Sequence, residues 1–235
     1  MTLLHLLTPA EWSAGVVDPG PDGFVHLSRP DQVHIPAGLL YAGRDDLVAL
    51  VVEEDRLGPE VRVEGGFPHL YGPLTRDAVV DVVPFDHDLL FVPTPPTEDP
   101  AAGFLAAMEG ELASMYGRPP ETLARDRLLA PDGAYAVGWE RGRPVAGGGF
   151  TRYDATTAEI RRMYVVPDAR SRGVARRLLA AVEGMARRRG YRAAILDTGA
   201  RQPHAEALYR SAGYVDVEPF NDSPAVFFGR RSLEG

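Results

Sequence analysis

The sequence predicts two domains that each mix helices and strands: an α+β unit over residues 1–92 and a unit of alternating strands and helices over residues 101–235. Three observations predict this. Charge divides unevenly: residues 1–95 hold five arginines against fifteen Asp and Glu, a balance of −10, whereas residues 96–235 hold twenty arginines against eighteen acids, a balance of +2. The change falls at PTPPTEDP, residues 93–100, where four prolines in eight positions make a stiff, extended linker. The apolar pattern also changes, from short strand-like runs before the linker to strands alternating with helical stripes after it.

Composition excludes several classes of function. The chain has 235 residues and 45% hydrophobic content, ordinary for a globular protein able to build a sizeable core. It has no cysteine, so disulfides, thiolate metal sites and a cysteine nucleophile are excluded. No apolar run approaches the roughly 18–20 residues of a membrane span. The start, MTLLHLLTPAEW, lacks the basic region of a secretory signal. A cytoplasmic protein without membrane attachment is expected. All 25 basic residues are arginine, which is most simply a coding bias. An acidic first half repels nucleic acid, and the second half shows no interleaving of basic and aromatic residues over a broad face, so no nucleic-acid partner is expected.

In the first half, LLHLLT begins a strand. TPAEW starts a short helix with Thr8 at the N-cap and Glu11 three residues later, the capping-box pattern. GFVHLSRPDQV places His26 and Ser28 on one face of a strand. DLVALVVEE and AVVDVVP are apolar strands, and VEGGFPHLYGPL carries Glu64, His69 and Tyr71. Five of the six histidines lie here. His5, His26, His69, Ser28 and Tyr71 are candidates for one pocket, with structural, hydrogen-bonded histidines as the equal alternative. No HxxxH or HxH pair supports a metal, and none is expected.

In the second half, residues 101–117 read as a helix ending at Gly117. Strands follow at 134–140, 143–154, 157–166 and 192–198. The glycine run in the second of these allows close approach by a neighbour or a ligand. The helix after PDARSRG places Val174, Leu178, Leu179, Val182, Met185 and Ala186 on one stripe, and Arg187 and Arg188 face water. The preceding loop, Arg170-Ser171-Arg172-Gly173-Val174-Ala175, joins a strand end to a helix N-terminus, where free N–H groups and the positive dipole end hold an anion. Gly173 and Ala175 keep side chains clear, while Arg170 and Arg172 offer charge-assisted hydrogen bonds. Residues 203–220 read as a helix, a turn at Ala212-Gly213-Tyr214, then a strand.

Arg170-x-x-Gly173-x-Ala175 after a strand ending Tyr164-Val165-Val166-Pro167, followed by Ala205-x-x-Leu208-Tyr209-x-x-x-Gly213-Tyr214, resembles the GNAT superfamily of N-acetyltransferases over roughly residues 101–235. The resemblance implies a mixed sheet with helices on both faces and acetyl-coenzyme A (acetyl-CoA) as cofactor. It implies that the main chain of Met163, Tyr164 and Val165 pairs with the pantetheine arm. It also implies that the amides of Ser171, Arg172, Gly173, Val174, Ala175 and Arg176 bind the pyrophosphate. Tyr209 then protonates the leaving thiolate, the other reading being a core aromatic. Glu159 is the carboxylate the pattern offers as base, or equally a partner for Arg161 or Arg162. Many relatives carry Asn where this chain has Gln202, which keeps the amide contact at a different reach; His204 stands nearby.

GFVHLS, GRDDLV and FPHLYGPL together resemble a small bacterial family known as domain of unknown function 952, over nearly all of 1–92. That family's fold is considered similar to ADP-ribosyltransferases, which implies an NAD-like ligand near His5, His26 and Ser28 with Glu64 as acidic partner. The leading expectation is an enzyme that transfers acetyl to a primary amine of a small molecule or protein. The alternatives are a module that binds or senses acetyl-CoA without transfer, and chemistry on an NAD-like nucleotide in the first half.

Overall fold

The computed structural model describes residues 1–57 and 60–234. The chain divides into two compact units, residues 1–93 with 138–144, and residues 94–137 with 145–235.

The first unit is built on strand β1 (Thr2–Leu7), which pairs antiparallel with β4 (Val48–Glu53), itself paired with β8 (Val79–Pro84). Their alternation sends Leu4, Leu6, Ala49 and Val51 into one core and Leu3, Leu7, Leu50 and Val52 into another, so this sheet is covered on both faces. Helix α1 (Pro9–Trp12) begins as its sequence predicts: the Glu11 amide donates to Thr8 Oγ1 at 3.2 Å, and the Thr8 amide donates to Glu11 Oε2 at 2.7 Å. β2 (Val16–Val17) pairs with β7 (Leu74–Thr75). A second three-stranded sheet runs β3 (Val25–His26), β6 (Phe67–Leu70), β5 (Val61–Glu64). The β5–β6 turn is Gly65-Gly66, both at positive φ, as a tight hairpin requires. β3 is shorter than the sequence suggests. His26 pairs with His69, but Ser28 has already changed partner and bridges Leu4. Helix α2 (His34–Leu40) and strand β9 (Leu90–Pro93) complete this unit's elements.

The expected linker does not stand apart. Thr94 and Pro96 are buried, and the Thr94 amide donates to Tyr135 O. Proline lacks an N–H to satisfy, so this stretch packs without a ladder of its own.

The second unit opens with α3 (Ala101–Tyr116), which ends at Gly117 in the left-handed conformation. Strands β10 (Ala134–Glu140), β11 (Arg143–Arg152), β12 (Thr157–Val165), β13 (Ala193–Gly199), β14 (Val215–Asp216) and β15 (Ala225–Ser232) run in the sheet order β14-β15-β13-β12-β11-β10. β12 and β13 are parallel, whereas β11 with β12, β13 with β15 and β14 with β15 are antiparallel. Helix α4 (Val174–Arg188) is the crossover between β12 and β13, and all six apolar residues of its predicted stripe are buried. Helix α5 (Pro203–Ser211) follows β13.

Candidate active site

The site begins with a flaw in the ladder. Gly147 of β11 faces Tyr164 of β12, and Gly149 faces Arg161, so two steps on β11 match three on β12. The extra residue falls around Arg162, whose φ is +58°. A bulge leaves main-chain groups unpaired and re-aims side chains, and a non-glycine residue held left-handed stores about 1–3 kcal/mol of strain. The glycines opposite are there for the chain's own packing. A Cβ on Gly147 would strike the Tyr135 hydroxyl, one on Gly148 would lie 2.7 Å from Met163 Sδ, and one on Gly149 would strike the Ala134 carbonyl oxygen.

Beyond the bulge the sheet opens. Among the described residues, the parallel register of β12 with β13 covers only Thr157, Ala158 and Glu159 against Ala193, Ala194 and Ile195, although the strands run on to Val165 and Gly199. A cavity of about 700 Å³ lies here. Its lining includes Ile160, Arg161, Arg162 and Met163 of β12, Asp197 of β13, Gln202 at the start of α5 and Tyr209 within it, and Glu121.

Tyr209 is 8% exposed, and burial, aided by the Asp197 charge, pushes its phenol up to about 12. Gln202 is the N-cap residue of α5, and its Oε1 accepts from the Thr198 hydroxyl at 3.4 Å. Glu159 is buried and bonded to Arg161 Nη1 at 2.5 Å, so of its two expected states the structure holds the ion pair. It does not line the cavity, whereas Asp197, which the sequence reading passed over, does. Asp197 sits two residues from the parting point at Ile195, a position set by register and invisible in local pattern. His204 is exposed.

The loop before α4 is made by two left-handed residues, Ser171 (φ +60°) and Gly173 (φ +80°). Alternating backbone handedness gathers N–H groups into an anion-holding concavity. Gly173 is the N-cap of α4, no side chain caps the helix, and a Cβ at Gly173 would meet nothing within 4 Å. The first-turn amides of Val174 and Ala175 have no acceptor within the helix. Such a cradle fits a phosphate group. The guanidiniums behave differently from expectation. Arg170 donates from Nε to Val165 O at 2.9 Å and from Nη2 to both oxygens of Glu111 at 2.7 and 2.8 Å. Its amide donates to Pro167 O. Arg176 donates to the carbonyl and the hydroxyl of Ser211, at 3.3 and 2.5 Å. Arg172 is exposed, as are Arg187 and Arg188. Tyr164 and Val165 are half-buried along β12.

In the first unit, most of the candidates do meet. Phe24 stacks on His69 with centroids 4.2 Å apart and touches His26 and Tyr71 at 4.9 and 5.4 Å. His5 Nδ1–H donates to His26 O at 2.8 Å, and Tyr71 donates its hydroxyl proton to Glu64 at 2.9 Å, with Arg62 over its ring. Burial, and then the neighbouring His26, holds both His5 and His69 below the usual imidazole range. Ser28 is fixed next to β1 by two main-chain bonds with Leu4. Among the described residues, no group of three or more His, Asp or Glu could hold a metal ion. No described helix is long and apolar enough to cross a membrane.

Comparison with known proteins agrees with this division. The family described as "Acetyltransferase (GNAT) family" matches residues 101–214, and "Protein of unknown function (DUF952)" matches residues 8–82. A relative named IAA acetyltransferase, from Azospirillum brasilense, is 34% identical over 128 residues, which span 53% of this chain and 83% of that one. YsnE of Bacillus subtilis (strain 168), an uncharacterised N-acetyltransferase, is 30% identical over 109 residues, 44% of this chain and 72% of that one. A structure assigned as an acyl-CoA N-acyltransferase from Klebsiella pneumoniae superposes with a TM-score of 0.51 at 23% identity, over 62% of this chain and 97% of that one. The second unit therefore has the fold of an acyl-transfer protein. The chain belongs to the GNAT acetyltransferase family, whose fold typically serves acyl-coenzyme A chemistry.

Proposed function

We propose that the second unit transfers acetyl from acetyl-CoA to a primary amine of a small molecule or protein. The observation that carries this reading is Tyr209, a buried phenol on the wall of a cavity that opens where β12 and β13 part. The donor supplies an activated acyl thioester. The main chain of Gly173, Val174 and Ala175, with Ser171 and Arg172 beside it, holds the diphosphate, and the free edge of Met163, Tyr164 and Val165 receives the amide-bearing arm. Arg170 and Arg176 shape the loop through Glu111 and Ser211.

The amine nitrogen attacks the thioester carbonyl carbon. A C–N bond forms, the C–S bond breaks, nitrogen loses one proton and sulfur gains one. Tyr209, at about 12, keeps its proton at neutral pH and donates it toward the sulfur. Asp197, on the cavity wall, accepts the proton that leaves nitrogen. Glu159 reaches the amine only through Arg161, which it neutralises. The test is thiol release by the full chain with acetyl-CoA and an amine panel. Tyr209→Phe should lower kcat by about 100-fold or more with little change in acetyl-CoA affinity. Equal loss of turnover and affinity, or no acetylation of any amine, would overturn the reading.

A second activity, on an NAD-like nucleotide in the first unit, is favoured by the Phe24, His26, His69 and Tyr71 ring cluster, which offers flat faces to a heteroaromatic base. Titration of the full chain with NAD decides it: no binding removes it.

A further inference from the structure

The cavity lining holds more charged groups than the transfer chemistry requires. Arg161 and Arg162 are consecutive on the bulge, and both line the cavity. A third guanidinium, Arg125, lies close enough to Arg162 to act on its charge. Three carboxylates are paired with these arginines, and a fourth, Asp197, lies close enough to Arg161 to act on its charge. Glu159 and Glu109 are held closely, to Arg161 and Arg125 at 2.5 and 3.1 Å. Glu121 is not: its side chain is 80% exposed and touches Arg161 Nη2 at 3.3 Å, while that arginine is only 13% exposed. The donor capacity of Arg162, which lines the cavity, and of Arg125, which does not, is unfilled. Arg162 gives Nη2 to the Glu121 carbonyl, yet its Nε is buried without a partner, as is Arg125 Nη1. Buried guanidinium N–H groups are costly to leave unmade.

A half-satisfied pair of arginines with one loosely held, replaceable carboxylate is arranged to exchange that carboxylate for another. The same cavity lining carries Asp197 and Asp222, which suit an ammonium group. Resting on the acetyl-transfer reading, we infer that the acceptor amine also carries a carboxylate, as an amino acid does, and that Arg161 and Arg162 receive it in place of the Glu121 side chain. Glu121 then stands in the empty site and leaves when the acceptor enters, so it competes with the carboxylate and not with the amine.

The experiment uses the full chain, acetyl-CoA and matched amines with and without the acid group: phenylalanine and phenethylamine, tryptophan and tryptamine, tyrosine and tyramine. The acid-bearing member of at least one pair should have a kcat/KM about tenfold or more above its partner, the scale of one charge-assisted hydrogen bond. Glu121→Gln removes the competitor without touching a buried group and should lower KM for that acid several-fold. Arg162→Met should erase the preference. Equal rates across every pair, or a Glu121→Gln chain with unchanged KM, would overturn the inference. If no amine is acetylated, the transfer reading fails separately, and calorimetric titration still decides. N-acetyl amino acids should bind the Glu121→Gln chain more tightly than the parent, and their carboxamides should bind neither. A carboxamide that binds as well as its acid would overturn the inference.

Discussion

The bulge at Arg161–Met163 and the loop at Arg170–Ala175 lie on either side of one strand end, and each holds two arginines: the bulge has one left-handed residue, Arg162 itself, and the loop has two, Ser171 and Gly173. They use those parts in opposite ways. At the bulge the strained backbone brings two guanidiniums to the cavity wall, and one keeps an unpaired buried nitrogen. At the loop the strained backbone itself is the ligand surface, and Arg170 turns away to bind Glu111 and Val165. An arginine beside a binding loop is therefore no guide to which of its atoms meets a ligand. Backbone handedness and the distance to the next carboxylate decide that.

Three substitutions would break or sharpen this contrast. The largest effect is expected from Gly149→Val. Its Cβ would fall on the Ala134 carbonyl oxygen, a wall that cannot swing aside, and thermal unfolding should show a loss of about 3 kcal/mol. A silent substitution would mean that the bulge does not depend on the close packing of β10 and β11. Gly173→Ala comes next. The site is open but φ is +80°, so a loss of about 1–2 kcal/mol is expected, together with weaker calorimetric binding of acetyl-CoA. Retained affinity with the stability loss would show that the loop amides are not the phosphate cradle. The smallest effect is expected for Arg170→Ala. Its pair with Glu111 is exposed, so stability should change by about 1 kcal/mol or less and acetyl-CoA affinity should stay near that of the parent. A tenfold affinity loss would show that the guanidinium leaves Glu111 for the phosphate.

Features set by neighbours in sequence were legible in it. The capping box at Thr8 and Glu11, the buried stripe of α4, the start of α4 at Gly173 and the left-handed end of α3 at Gly117 all follow from local periodicity and capping chemistry. What depends on distant partners was not. The bulge exists only in the register between β11 and β12, and the Arg170–Glu111 pair joins residues 59 apart. The division between the units falls at 93/94, within the proline-rich stretch, but the burial of Thr94, whose amide finds Tyr135, depends on a distant partner. β15 gave no signal that the reading used, because its apolar residues are followed by Gly229-Arg230-Arg231, and its pairing with β13 supplies the strand character. At the site, Tyr209 and the loop were found by motif. Asp197 and Glu121 were not, because a carboxylate becomes noticeable only when the cavity beside it is known.

The parting of β12 from β13 also has a mechanical side. Among the described residues, β12 is bound to β11 through six register pairs, and β13 to β15 through seven, while three pairs join the two ribbons to each other. The sheet is thus two stiff blades with a short hinge at Thr157–Glu159. Bending at that hinge costs no ladder bond, so the width of the gap is the direction in which this sheet yields most easily.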